Sequence, residues 1–199
     1  MLFRKFIFVF ALFAFSSVGV AKTDPLTLVK ETANKVLEEV TVHKTALELD
    51  ASGMFTLVSS HILPHFDFEK MTRSAMGKYW RRATDEQKIA LTEQFRQLLV
   101  KTYAVALMNY SGQEIIYLPL RPSDDENRVT VQTKVSEEKG GPQIPVHYRL
   151  IQKDDNWLVY DVVIDGVSLV SNYRSSFAGE IRRTGIDGLV KYLESRSKS

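Results

Sequence analysis

The residues able to do chemistry are few, and their spacing argues against most enzymes. His61 and His65 stand four apart, which can aim two imidazoles at one zinc ion from a helix face. No glutamate follows His61, and Pro64 interrupts the helix that would align the pair, so both read as surface or helix-end histidines. The run Gly166-Val167-Ser168-Leu169-Val170 begins like a nucleophile elbow but lacks the closing glycine that relieves crowding in that turn. Ser168 therefore reads as a helix N-cap or turn serine. Asp124-Asp125-Glu126 and Asp154-Asp155 lack the alternating oxygen ligands and glycine of a calcium loop and read as solvated turns. Neither glycine-rich phosphate loop occurs. With no cysteine, disulfides, thiolate metal sites, a cysteine nucleophile and a lipid-modified N-terminal Cys are excluded. Asp161, alone within an apolar strand, reads as a structural hydrogen-bonding group. The rival reading is a cavity enzyme using Asp161 with Tyr103 or Tyr148, which requires that carboxylate within hydrogen-bond reach of substrate.

One charged stretch stands apart. Lys70, Arg73, Lys78, Arg81 and Arg82 fall within thirteen residues that contain no acid. On a helix, Lys70, Arg73 and Arg81 lie close to one side, a stripe that could meet anionic headgroups or an acidic protein surface. The plain alternative is an ordinary solvated face.

The elements that hold these residues start after a leader. Arg4 and Lys5 precede ten apolar residues, 6–15, and Gly19-Val20-Ala21 offers small residues for a signal peptidase. Residues 1–21 are expected to be a cleaved secretory signal, since ten apolar residues span only about half of a bilayer that needs roughly 20 in a helix. The remaining domain, 22–199, carries 24 basic and 24 acidic residues. A neutral domain has no global field for nucleic acid, and no nucleic-acid partner is expected. Forty-four per cent hydrophobic residues with only 10 Gly and 6 Pro indicate one globular domain.

Helical spacing dominates the first half. Asp24-Pro25 reads as N-cap and N1, followed by Leu26, Val29, Ala33, Val36, Leu37 and Val40 on one face. A short helix is predicted to turn Met54, Phe55, Val58 and Ile62 inward and to stop at Leu63 before Pro64. Asp67 is the predicted cap of a third, with Met71, Ala75, Met76 and Tyr79 inward. Thr84 and Gln87 have capping-box spacing and open the strongest helix, predicted to reach Gly112 as a rod of roughly 40 Å. The period then falls to two over 114–120, 127–135, 144–152 and 157–164, which predicts four strands in an antiparallel meander. Val129, Val131, Thr133 and Val135 share a face, as do Ile144, Val146, Tyr148 and Leu150. Helix returns after Asp165-Gly166, with a break expected near Thr184-Gly185. The fold class is α+β, a four-stranded antiparallel sheet with helices packed on one face. Pattern alone favours a filled interior between rod and sheet.

Several separated segments resemble the MlaC, or toluene-tolerance, family of periplasmic phospholipid carriers. They include Ile62-Leu63-Pro64-His65-Phe66, Gly77-Lys78-Tyr79-Trp80, Ala83-Thr84-Asp85-Glu86-Gln87-Lys88, Tyr110-Ser111-Gly112-Gln113, Trp157-Leu158-Val159-Tyr160-Asp161-Val162 and Gly185-Ile186-Asp187-Gly188-Leu189. The resemblance spans nearly all of 22–199. It implies a monomeric, periplasmic carrier without a cofactor, holding a phospholipid by its acyl chains in an apolar cavity between helices and sheet. Exchange with an outer-membrane lipoprotein–porin complex and an inner-membrane ABC transporter complex would maintain outer-membrane lipid asymmetry. Two tails of about 30 methylenes, at roughly 0.8 kcal/mol each, cost on the order of 24 kcal/mol to expose to water, so such lipids need a carrier. Given a cavity, periodicity assigns Phe95, Leu98, Leu99, Tyr103 and Leu107 of the rod to its lining, with Val131, Val146, Tyr148 and Val159 from the sheet. A plain docking module with a filled interior is the third reading.

Overall fold

The structure is a computed structural model describing residues 24–49, 51–136 and 141–198. The expected leader, 1–21, and Gly140 of the second expected turn lie outside the described residues. Helix α1 (Pro25–Val42) starts as its cap dictates: the Asp24 carboxylate accepts the Thr27 N–H at 2.9 Å and Pro25 occupies the first turn. Val29, Val36 and Val40 are its buried edge. A six-residue helix, α2 (Lys44–Leu49), is too short to show a period and was not expected. In α3 (Ala51–His61) Met54, Leu57 and Val58 turn inward. Phe55, expected with them, is exposed, because burial of Leu57 rotates the apolar stripe away from it.

Pro64 sits in a single 3₁₀ turn, Leu63–His65. Helix α4 (Phe68–Met76) follows, capped by the Asp67 carboxylate, which accepts the Lys70 N–H at 2.9 Å. At Gly77, where φ is 54°, the chain leaves α4 for a second 3₁₀ segment, Gly77–Arg82, that buries Tyr79 and Trp80. Helix α5 (Asp85–Met108) opens with the reciprocal cap: Gln87 N–H donates to Thr84 Oγ1 at 3.2 Å and Thr84 N–H to Gln87 Oε1 at 3.0 Å. It ends at Met108, four residues before the expected Gly112. Local bonds stop it: Tyr110 N–H reaches the Leu107 carbonyl at 3.1 Å, and the Gln113 amide oxygen takes the Ser111 N–H at 2.9 Å.

Five strands, not four, form one antiparallel sheet in chain order: β1 (Glu114–Tyr117), β2 (Arg128–Ser136), β3 (Gln143–Lys153), β4 (Asn156–Ile164) and β5 (Val167–Ser168). The extra strand is two residues long, folded back by a tight turn at Asp165 (φ 48°) and Gly166 (φ 77°) that no alternation could announce. The two sets of residues expected to share a face lie opposite each other in the middle strands: Val129 faces Leu150, Val131 faces Tyr148, Thr133 faces Val146 and Val135 faces Ile144.

The β3–β4 pairing contains a bulge. Arg149 pairs with Asp161 but Leu150 pairs with Val159, leaving Tyr160 as an extra residue. Because side chains alternate, one added residue changes which set points inward: Val159 before the bulge, then Val162 and Ile164 after it. The Val159 carbonyl accepts the Asp67 N–H at 2.9 Å, tying the start of α4 to the bulge.

Helix α6 (Leu169–Lys198) breaks at Gly185, where φ is 78° and ψ −178°, as expected there. Ser168 caps it, accepting the Ser171 N–H at 3.1 Å. The helix packs against α4 and the N-terminal half of α5 around Met71, Leu91, Phe95, Phe177, Leu189 and Leu193. Among the described residues no helix is long and apolar enough to cross a membrane.

Candidate functional site: an apolar cavity between helices and sheet

Beyond Phe95 the two sides of the molecule part. The C-terminal half of α5 presents Leu99, Val100, Tyr103, Ala104 and Leu107 to a cavity of about 340 Å³. Helix α1 closes one side with Leu28, Val29, Thr32, Ala33, Val36 and Leu37, and Val58 and Ile62 extend it. Phe66, Phe68 and Met71, at the start of α4, form another wall. The sheet supplies Ile115, Val146, Tyr148, Val159, Val162 and Ile164, and Leu169 completes it. The polar side chains in this lining are Thr32, His65, Tyr103 and Tyr148, and no carboxylate is among them.

Six of the nine assigned residues line the cavity: Leu99, Tyr103, Leu107, Val146, Tyr148 and Val159. Three do not. Phe95 is fully buried in the solid core, edge-on to Tyr173 at 4.9 Å and Phe177 at 5.1 Å between ring centroids. Leu98 packs against that same core three residues later. Val131 is fully buried among Val29, Leu150 and Val159 on the sheet. On α5 the cause is α6, which covers the N-terminal half of the rod and leaves the other half for α1 and α3 to bridge.

The α1 lining was visible as a helical stripe, yet a stripe does not say whether it meets neighbouring atoms or empty space. Val162 and Ile164 were hidden by the bulge, since strict alternation from Val159 points them outward. Phe66 and Phe68 flank the Asp67 cap and carried no periodic signal of their own.

Electrostatics agree with an apolar interior. Burial pushes the Tyr103 hydroxyl up, with a smaller push from Tyr173. Tyr148 is partly exposed and lines the cavity, and burial pushes its hydroxyl up to about 12. Burial also holds the His65 imidazole below its ordinary value, favouring the neutral form.

The catalytic alternative loses its carboxylate. Asp161 is 3% exposed and lies outside the cavity lining that includes Tyr103 and Tyr148. One of its oxygens accepts from Arg149 Nη1 at 3.0 Å and Ser168 Oγ at 2.7 Å. The other accepts the Val170 N–H at 3.2 Å, so Asp161 joins β3 to the start of α6. The Ser168 hydroxyl is committed to the same arrangement. Among the described residues no group of three or more histidines and carboxylates is placed to hold a metal.

Helices laid across one face of a curved antiparallel sheet, with an apolar chamber between them, define an α+β protein built to enclose a hydrophobic ligand. Residues 30–195 match the family described as MlaC protein, and the chain belongs to that family. It is similar to the intermembrane phospholipid transport system binding protein MlaC of Haemophilus influenzae, 26% identical over 94% of this chain and 88% of the relative. The toluene tolerance protein ttg2D of Pseudomonas putida is 29% identical over 87% of this chain and 80% of its own length. Among solved structures, a phospholipid-binding protein from Ralstonia solanacearum in complex with a phospholipid superposes with a TM-score of 0.80 at 33% identity, covering 88% of this chain and 98% of that one.

Proposed function

We propose that this chain is a periplasmic phospholipid carrier, released from its leader by cleavage after Ala21, that shelters acyl tails in the cavity during transfer between membranes. The observation that carries this reading is the lining: aliphatic and aromatic side chains from α1, α5 and the sheet converge on one space that contains no carboxylate. Such a lining offers hydrocarbon nearly the environment a bilayer offers, so tails enter at little cost and leave as easily. The headgroup stays in water. Chain membership of the MlaC family and the phospholipid in the related Ralstonia structure support the same cargo. In this reading the domain works as a monomer without a cofactor, and trades lipid with an outer-membrane lipoprotein–porin complex and an inner-membrane ABC transporter complex.

Native mass spectrometry of freshly purified protein tests the cargo. Intact phospholipid at one per chain is the expected result; lysolipid with free fatty acid would instead reveal hydrolysis. Val146→Glu places a charge among the cavity's apolar side chains and is expected to abolish copurifying lipid while the far-ultraviolet dichroism stays native. Unchanged lipid stoichiometry in that variant would remove Val146 from the binding surface.

A further inference from the structure

A second concavity, of about 800 Å³, shares α4 with the cavity but opens elsewhere. Phe68 and Met71 of α4 line the cavity, whereas Glu69, Lys70, Arg73 and Ser74 line this groove. Six cations converge there, Lys70, Arg73, Lys78, Arg81, Lys153 and Arg174, drawn from α4, the following 3₁₀ segment, β3 and α6. Two carboxylates, Asp67 and Glu69, accompany them. Residues 22–199 have equal numbers of acids and bases, so this local excess is charge sorted onto one face of a neutral domain.

Apart from Lys153, which pairs with Asp67 at 4.0 Å, no ion pair is found for these six cations among the described residues. Lys70 lies 5.4 Å above the Tyr160 ring and Lys78 lies 5.4 Å from the Tyr79 ring centre. Arg174 Nε donates to the Ser74 carbonyl at 2.9 Å, pinning a cation of α6 beside α4. An ordinary solvated helix face mixes signs in pairs three or four residues apart. Here neutral partners hold Lys70, Lys78 and Arg174 among like charges, an arrangement that repels itself until an anionic surface arrives.

We propose that this groove docks a protruding, carboxylate-rich element of a partner protein. The inference rests on the carrier reading, in which the domain must meet membrane-bound complexes. The groove and the cavity share no lining residue: Phe66, Phe68 and Met71 face the cavity alone. A flat bilayer touches only the lips of a concave site, whereas a protrusion reaches cations on all its walls.

The test uses the lipid-loaded domain and the purified outer- and inner-membrane complexes of that reading. R73E/K78E/R81E reverses three exposed charges, and K153E is a single exposed change in the same groove that repeats the measurement with less risk to folding. A control, K30E/K44E/K191E, shifts net charge equally at positions outside the groove. The expected result is at least about tenfold weaker docking of the groove variant to one complex, with copurifying lipid unchanged, and wild-type association that slows as salt rises from about 50 to about 300 mM. Unchanged affinity for both complexes overturns the proposal. So does an equal loss in the control, or a loss seen only with vesicles containing phosphatidylglycerol, which assigns the groove to membrane. Absence of phospholipid from wild type and variants alike overturns the carrier reading itself.

Discussion

The two halves of α5 have similar apolar sequences and opposite fates. Leu91 and Phe95 meet α6 and vanish into a close-packed cluster with Tyr173 and Phe177. Leu99, Tyr103, Ala104 and Leu107, further along the same rod, face open space. What separates them is the partner element, not side-chain chemistry: α6 packs along the first half, while α1 and α3 meet the second through Val100 and Ala104 and leave its remaining face to the cavity. The solid half holds the domain together; the hollow half leaves hydrocarbon-like surface free for cargo.

Substitution should expose that division most clearly in the solid half. Phe177→Ala removes a fully buried ring that touches Phe95 and Tyr173, and should cost about 3–5 kcal/mol in urea unfolding. Leu107→Ala, on the cavity wall, should cost only about 1–2 kcal/mol in lipid-free protein, because the space beside it is already empty. Equal losses at the two sites would erase the distinction between a packed and a hollow end.

Two titrations sharpen it further. The Tyr148 hydroxyl ionises near 10 in the unfolded chain and at about 12 in the folded one. Its contribution is therefore intact below 10 and lost as pH rises towards 12. The melting temperature of wild type should fall faster over that window than that of Tyr148→Phe. The smallest effect belongs to His65, whose imidazole burial holds below its ordinary value of 6.5. Stability tied to its neutral form is present above 6.5 and declines as acid protonates it, so His65→Gln should flatten the acid limb slightly in thermal melts between about pH 7 and pH 5.

What could be read from the chain in advance was whatever short-range chemistry decides. The Asp24, Asp67 and Thr84 caps, the break at Gly185 and the shared faces of β2 and β3 each depend on a few neighbouring residues, and each is found where expected. Six of the nine proposed lining residues fell on the cavity because helical and strand faces are also local properties. Phe95, Leu98 and Val131 were misplaced because periodicity finds a buried face without telling what covers it. The helix end at Met108 was misjudged because the Gln113 side chain competes for backbone groups that an apolar stripe ignores. Family resemblance supplied the hollow, which no pattern of apolar residues distinguishes from a core.

The extra residue at Tyr160 carries more weight than its size suggests. Were Tyr160 paired as an ordinary strand residue instead of bulged out, alternation from Val159 would turn β4 inside out from that point: Asp161 and Val163 would face the chamber, Val162 and Ile164 the exterior. The bulge thus keeps an anion out of the greasy wall and leaves the Asp161 carboxylate at the first turn of α6, where it accepts the Val170 N–H.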